Sequence, residues 1–249
     1  MSGVVERTAP APSAAKARRS MASIVQGVAI ALGFVMLVGG FGVIATGYRP
    51  FLIPTASMSP TLESGDTVLA RKVDGGSVGR GDIVVFREPL WGGAVMVKRV
   101  VAVGGDTVAC CDAQHRLLVN GTPIDEPYLP QQMTSGAGFT TTVPAGRLFL
   151  LGDFRDNSLD SRSHLDVASG TIAASDVTGR VEGTVWPFDR MSASERTVAF
   201  DRLGGAVASR PGLLEPAAYV MVGGAALIVL ASAAGGVVSL GRRARRRSG

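Results

Sequence analysis

Two long stretches without a charged residue, Ser20 to Tyr48 and Pro216 to Gly241, constrain this 249-residue chain more than any other feature. A hydrocarbon core of roughly 30 Å is crossed by about 20 apolar residues in a helix, because only a helix or a closed barrel satisfies its own backbone there. Both stretches are long enough, and the first holds an apolar run from about Ile24 to Thr46. The chain therefore reads as two membrane-spanning helices, over 21–47 and 216–241. The first run is about twice as long as a secretory-signal core of roughly 7 to 15 residues, which favours an uncleaved anchor over a removed leader. The second is diluted by Gly223-Gly224 and Gly235-Gly236, so the arginine cluster behind it is the stronger part of its case as a span.

The formal net charge of +5 belongs to the ends: residues 1–19 carry +3 and residues 242–249 carry +5, which leaves −3 for everything between. A nucleic-acid-binding protein carries its basic patch on the folded domain, so nucleic acid is excluded as a partner. Short Lys/Arg-rich flanks stay on the cytoplasmic side of a membrane. Both termini are thus expected in the cytoplasm, as a disordered tail over 1–20 and a basic tail over 242–249. The segment from about Gly47 to Glu215 is expected beyond the plasma membrane, with residues 191–215 as a linker leading back to it.

Between the helices the pattern is one of short, Val-rich runs cut by Gly and Pro: Asp66 to Val73, Asp82 to Phe86, Val95 to Val103, Arg116 to Val119, Arg147 to Leu151 and Val181 to Trp186. Such runs favour an all-β domain, over 48–190, rather than alternating strands and helices. Asn120-Gly121 is the signal for a hairpin turn with positive φ at both central positions. The more polar span 104–142 reads as a smaller hairpin subdomain inserted into the main sheet. The two cysteines, Cys110 and Cys111, are adjacent and cannot staple distant segments; a vicinal disulfide and two free thiols both fit. Neither His115 nor His164 stands at ligand spacing from them, so no metal site is expected.

Three segments carry candidate chemistry. In the first, Ile53 to Asp66, Ser57 sits among small residues and prolines, which taken alone is a turn. In the second, Val97 to Asp106, Lys98 interrupts a Val-rich strand, and alternation places it on the face opposite Val97 and Arg99. A lysine among apolar residues loses solvation, which disfavours its charged form and makes it a usable base near neutral pH. A serine needs such a base within hydrogen-bond reach. In the third, Gly152 to Arg162, three acids and two arginines fall within a short loop, a composition that suits salt bridges better than a calcium site.

Together these segments resemble the bacterial type I signal peptidase family. Pro54 to Asp66 is similar to its P-S-x-S-M-x-P-T-L-x-x-G-D box, and Gly81 to Phe86 to its next strand. Lys98-Arg99 through Gly104-Gly105-Asp106 resembles its lysine box, and Gly152 to Arg162 its G-D-N-R-D-N-S-x-D-S-R box. The order and spacing hold over most of residues 24–190. The additional C-terminal helix resembles the form found in high-GC Gram-positive, actinobacterial members.

The resemblance implies a signal-peptidase-type β-sheet or barrel ectodomain. It implies a membrane-bound serine endopeptidase that removes signal peptides from exported preproteins after small residues of the A-x-A kind, with no cofactor and no metal. Ser57 is implied as nucleophile and Lys98 as general base. Thr55, where the family has serine, and the Ser57 N–H are implied as the oxyanion hole. Ser158 is implied to orient the lysine, and Asp153, Arg155, Asp160, Arg162 and Arg99 to brace the site. Ile53, Pro54, Met58, Met96 and Val97 are the expected pocket lining, and a packed core explains the same residues about as well. Phe154 departs from the family's Asn. The implied partners are preproteins from the export machinery and the lipid bilayer. Two other readings stand beside this one: a self-cleaving Ser/Lys repressor type, disfavoured by the two spans, and a membrane-anchored β module that binds partners without catalysis.

Overall fold

The structure, a computed structural model, describes residues 21–130, 138–208 and 212–247. The expected tail over 1–20 lies outside the described residues, as do 131–137 of the expected insertion, 209–211 of the expected linker and 248–249. The chain divides into two compact units, one holding most of both long helices and the other Gly39–Tyr219.

Helix α1 spans Met21–Gly47 and α2 spans Leu214–Arg247, so α2 continues through the arginine run that follows the apolar segment. Within them Ser23–Gly47 and Leu214–Gly236 are long and apolar enough to cross a membrane. The glycines let the two backbones approach: a Cβ on Gly33 would lie 2.7 Å from the Gly224 carbonyl oxygen, and one on Gly224 2.5 Å from that of Gly33. Small residues serve this purpose wherever helices pack in lipid, because close backbone approach supplies the contact that hydrophobicity cannot.

Among the described residues the second unit holds twelve strands: β1 (Tyr48–Leu52), β2 (Thr67–Arg71), β3 (Ile83–Arg87), β4 (Val95–Val103), β5 (Thr107–Cys110), β6 (Leu117–Val119), β7 (Thr122–Pro123), β8 (Phe139–Thr142), β9 (Arg147–Leu151), β10 (Thr171–Ala173), β11 (Val177–Trp186) and β12 (Ser192–Ala193). The main sheet is antiparallel and runs β1-β2-β11-β3-β4-β9-β10, with β12 added on β11. Strands β5 to β8 form a second, four-stranded sheet in the order β7-β6-β5-β8, so the insertion is a small sheet rather than a hairpin alone. Its tight turn falls at Asn120 and Gly121, both with positive φ (54° and 75°). Cys110 and Cys111 at the end of β5 form a vicinal disulfide.

The apolar runs are explained by burial on both faces of the sheet. On β3, Ile83 and Val85 pack with Ile53, Met58, Leu62 and Val68, while Val84 and Phe86 pack on the other side with Trp91, Val100 and Leu150. On β9, Leu148 and Leu150 join that second cluster, and Phe149 and Leu151 point into a third with Val108, Leu117, Val119 and Ile124 of the small sheet and its flank. Strands covered on both faces read as continuous hydrophobic runs, not as alternation. The third cluster makes the small sheet part of the same core as β4 and β9.

Phe149 is fully buried where the two sheets meet. Phe149→Ala is expected to destabilise the folded unit by about 3–5 kcal/mol, the cost of lost transfer energy plus an incompletely collapsed cavity. The shift in a urea unfolding curve followed by the fluorescence of Trp91 and Trp186 measures it; a shift under about 1 kcal/mol would mean that the sheets do not share a core there.

Candidate active site

The serine loop is held by what lies on either side of it. Ile53, Met58 and Leu62 are buried in the cluster beneath β2 and β3. Main-chain bonds from Ile53 N to Asp66 O and from Gly65 N to Ile53 O, both 2.8 Å, close the base of the loop. Within it Ser59 N donates to Ala56 O and Leu62 N to Met58 O, each at 3.0 Å. Ser57 is thereby fixed between anchored neighbours with its hydroxyl turned toward β4.

Lys98 comes from the middle of β4, and its Nζ donates to Ser57 Oγ at 2.6 Å across 41 residues of sequence. Only 4% of Lys98 is exposed, so it is no ordinary solvent-facing strand lysine. Burial pulls its pKa below the usual lysine value, Asp160 and Asp153 work against that shift, and Arg162 adds to it. Thr55 Oγ1 lies 3.4 Å from Ser57 Oγ, on the side of the loop facing the same space.

The loop after β9 closes over this pair. Phe154 N donates to Ser57 O at 3.1 Å, so the departure to Phe leaves a main-chain contact with the serine in place. Arg99 pairs with Asp153 through two bonds of 2.8 and 2.6 Å, and both residues are buried. Asp153 also accepts from Thr61 Oγ1 at 2.6 Å, which ties the acidic loop to the serine loop. Asp160 accepts two bonds of 2.9 Å from Arg162, and one of 3.0 Å from Gly152 N. Arg162 in turn donates to Arg155 O at 2.7 Å. Arg155 reaches the other way, to Glu126. Ser158 Oγ is buried and has no hydrogen-bond partner among the described residues, so it does not reach the lysine amine here. It packs on Gly152, where an added Cβ would lie 2.2 Å from Ser158 Oγ and 2.5 Å from Ser57 O.

A cavity of about 590 Å³ opens onto Ser57 and Lys98, and Ile53, Pro54, Met58, Met96 and Val97 all line it. Sequence reasoning missed Trp91 and Leu159 in the same wall. Trp91 lies outside every recognisable segment, and His164 stacks on it at 4.3 Å between ring centroids. Thr61 stands in the serine box but was given no role there, and Glu126 and Tyr128, also missed, lie in the polar insertion with no local pattern to mark them. Among the described residues no group of three or more His, Cys, Asp or Glu is placed to hold a metal ion.

A serine hydroxyl bonded to a buried amine, beneath a loop of paired charges on an antiparallel β unit, defines a serine–lysine hydrolase type of site. Comparison with known proteins then places the chain: it belongs to the signal peptidase family, peptidase S26, whose model matches residues 21–186. It is 36% identical over 195 residues to "Signal peptidase I" of Mycobacterium tuberculosis, a match covering 57% of this chain and 66% of that protein, just under two thirds of its length. It is 35% identical to "Signal peptidase I U" of Bacillus subtilis over 154 residues, covering 58% of this chain and 79% of the relative. A crystal structure of a signal peptidase I from Enterococcus faecalis V583 is similar at 31% identity, with a TM-score of 0.34 and coverage of 41% of this chain and 93% of that one.

The Arg99–Asp153 pair has the clearest energetic signature in the site. Asp153→Asn leaves the guanidinium of Arg99 buried without its counter-charge, and breaking such a pair costs about 3–5 kcal/mol. Thermal unfolding followed by far-ultraviolet circular dichroism should show a correspondingly lowered midpoint. An unchanged midpoint would mean that the Tyr128 ring, 3.9 Å from Arg99 Cζ, and the Gly81 carbonyl suffice to hold the charge.

Proposed function

We propose that this chain is a signal peptidase I: a membrane-anchored serine endopeptidase that removes N-terminal signal peptides from exported preproteins after small residues of the A-x-A kind. The observation that carries the reading is the 2.6 Å contact between the buried Lys98 amine and Ser57 Oγ at the floor of an apolar-walled cavity. With the amine uncharged, the same contact runs in reverse, the serine O–H donating to the nitrogen lone pair.

In the proposed reaction Lys98 takes the Ser57 proton as Oγ attacks the carbonyl carbon of the scissile bond. The oxyanion is stabilised by Thr55 Oγ1–H and the Ser57 N–H, donors of a kind worth roughly 3 to 4 kcal/mol each. The C–N bond breaks as Lys98 passes the proton to the leaving amine, which leaves an acyl-enzyme ester on Ser57. Water, deprotonated by the same amine, attacks the ester carbonyl, the bond between that carbon and Ser57 Oγ breaks as Lys98 returns the proton to Oγ, and the signal peptide leaves with a free carboxylate. Ser158 is the proposed partner that orients the amine during these steps, its hydroxyl being uncommitted in the resting site. Asp153, Arg155, Asp160, Arg162 and Arg99 hold the loop that covers the dyad; none of them reacts.

Strand β1 ends the main sheet, and Phe51 to Thr55 and Val95 to Val97 both line the cavity. An extended substrate added beside these segments gains main-chain hydrogen bonds for affinity and pockets for alternate side chains for specificity. Ile53, Pro54, Met58, Met96 and Val97 are the proposed pocket residues. The proposed location is the plasma membrane, crossed by α1 and α2, with the arginine-rich flanks on the cytoplasmic side and the β unit beyond it. Ser57 follows the end of α1 at Gly47 by only ten residues, which suits a substrate that is itself anchored in the bilayer.

Cleavage of a signal-peptide-bearing preprotein in detergent micelles tests this reading. The parent chain should cut after the last Ala of an Ala-x-Ala site. Ser57→Ala and Lys98→Ala should each reduce the rate by about 10⁴-fold, the scale expected when a member of a nucleophile–base unit is removed. Failure of a folded parent to cut, or survival of cutting in either variant, would favour the non-catalytic module. The rate should also rise with pH through the lowered Lys98 pKa, because only the uncharged amine is a base and its protonated form accumulates below that pKa. A profile flat from acid to neutral pH would remove Lys98 from the role.

A further inference from the structure

Among the buried ionisable groups that the proposed reaction does not use, one comes from the inserted segment and meets the active-site loop. Glu126 lies after β7, is 3% exposed, and directs both carboxylate oxygens at Arg155, with bonds of 2.9 Å from Nη1 and 2.6 Å from Nη2. Arg155 uses its third nitrogen, Nε, to donate to Gly152 O at 3.0 Å. We propose that Glu126 is a positioning residue for the peptidase reaction, acting through Arg155 to fix the loop from Gly152 to Arg162 against Ser57.

Each link of this chain of contacts ends on a group of the site. Gly152, held through its carbonyl by Arg155, donates its own N–H to Asp160, and its Cα packs so closely on Ser158 and on the Ser57 carbonyl that no Cβ fits there. Two residues after Gly152, the Phe154 N–H meets that same Ser57 carbonyl. Arg155 O receives Arg162, the partner of Asp160. A shift of Arg155 therefore moves the backbone that touches the nucleophile and the acid that stands in the field of Lys98. The same strap makes a second contact with the site. Tyr128 donates its hydroxyl to Glu126 and lays its ring beneath Arg99, the residue after Lys98.

Burying a carboxylate and a guanidinium together is a poor way to gain stability, because desolvation offsets most of their attraction and an apolar pair of the same size is often at least as stable. What a bidentate Arg–carboxylate pair adds is direction, two parallel bonds that admit one relative orientation. The anchoring that an apolar contact can supply is already present, since Ile124, two residues before Glu126, is buried with Val108, Val119 and Phe149. Glu126 thus contributes geometry where the insertion already has adhesion. An error of about one ångström in such a support costs about a hundredfold in rate.

The proposal rests on the Ser57/Lys98 reading, and the experiment separates the two. Steady-state cleavage of an Ala-x-Ala signal-peptide substrate is measured with the full-length parent, Glu126→Gln, and the double variant Glu126→Leu/Arg155→Met, each with its thermal midpoint. Glu126→Gln should lower kcat by about ten- to a hundredfold while KM stays within about threefold, because the cavity wall is untouched. The double variant, apolar on both sides, should remain folded at the assay temperature and be slowed to the same degree. Parental kcat in a folded double variant, a change confined to KM, or a loss matched by the unfolded fraction in both variants would each overturn the proposal and leave the peptidase reading standing. No cleavage by the folded parent would remove that reading and the proposal with it.

Discussion

The site depends on keeping one amine dry. Burial of the Lys98 side chain disfavours its protonated form, and in the proposed reaction only the uncharged amine acts as the base. The loop from Gly152 to Arg162 that closes over the site carries three carboxylates, and the field of Asp160 and Asp153 acts to restore the charge. The arrangement resolves this conflict by giving each acid its own arginine. Asp153 is held bidentate by Arg99 and Asp160 by Arg162, and the Arg162 charge acts on the amine against those of the two acids. The abundance of charge in this loop serves its construction, and the pairing keeps the construction from undoing the chemistry.

Much of this was legible in the sequence, and the rest was hidden for identifiable reasons. Strands β4 and β9 stand as Val- and Leu-rich runs with the bounds expected for them, because a strand covered on both faces has little freedom in composition. Strand β1 was not legible: Pro50 and Arg49 interrupt it, and only its place at the end of the sheet lets a proline stand within it. Strand β8, Phe-Thr-Thr-Thr, has no apolar alternation and owes its form to pairing with β5. At the site, Ser57 and Lys98 each looked ordinary alone and informative together, and the ordered boxes named the loop residues around them. The pairings of Glu126 and Thr61 were not visible, since their partners Arg155 and Asp153 lie 29 and 92 residues away; Thr61 stands in the serine box without its partner being readable there, and Glu126 stands in no local pattern.

The small sheet illustrates how an insertion can be made integral. Its entry is fixed by Asp106, which accepts two bonds from Arg80, one from the Val103 N–H and one from Asn120. Burial alone would raise the Asp106 pKa, but these donors outweigh it and hold the carboxyl below its ordinary value. The turn residue Asn120 is therefore doubly determined: its backbone supplies the positive φ of the hairpin and its side chain returns to the acid at the root of the insertion. The root is fixed by Asp106, the middle by the shared apolar cluster and the returning strap by Glu126 and Tyr128, so the segment is attached to the main sheet and its loops at several separate points.

A comparable knot sits at the other side of the main sheet, where the chain enters and leaves it. Glu182 of β11 accepts from Tyr48 at the start of β1, from Arg71 of β2, from Arg180 of its own strand, and from the Gly212 N–H two residues before α2. Burial opposes the ionised carboxylate, yet the bonds from Arg180, Arg71 and Tyr48 win and lower its pKa. Burial, and then the bond to that anion, push the Tyr48 hydroxyl up to about 12, so it remains a donor across the whole neutral range. Tyr48 begins the strand whose far end, Phe51 and Leu52, lines the cavity that opens onto Ser57. One carboxylate thus ties the first residue of β1 to β2 and β11, at the start of the strand whose other end lines the cavity.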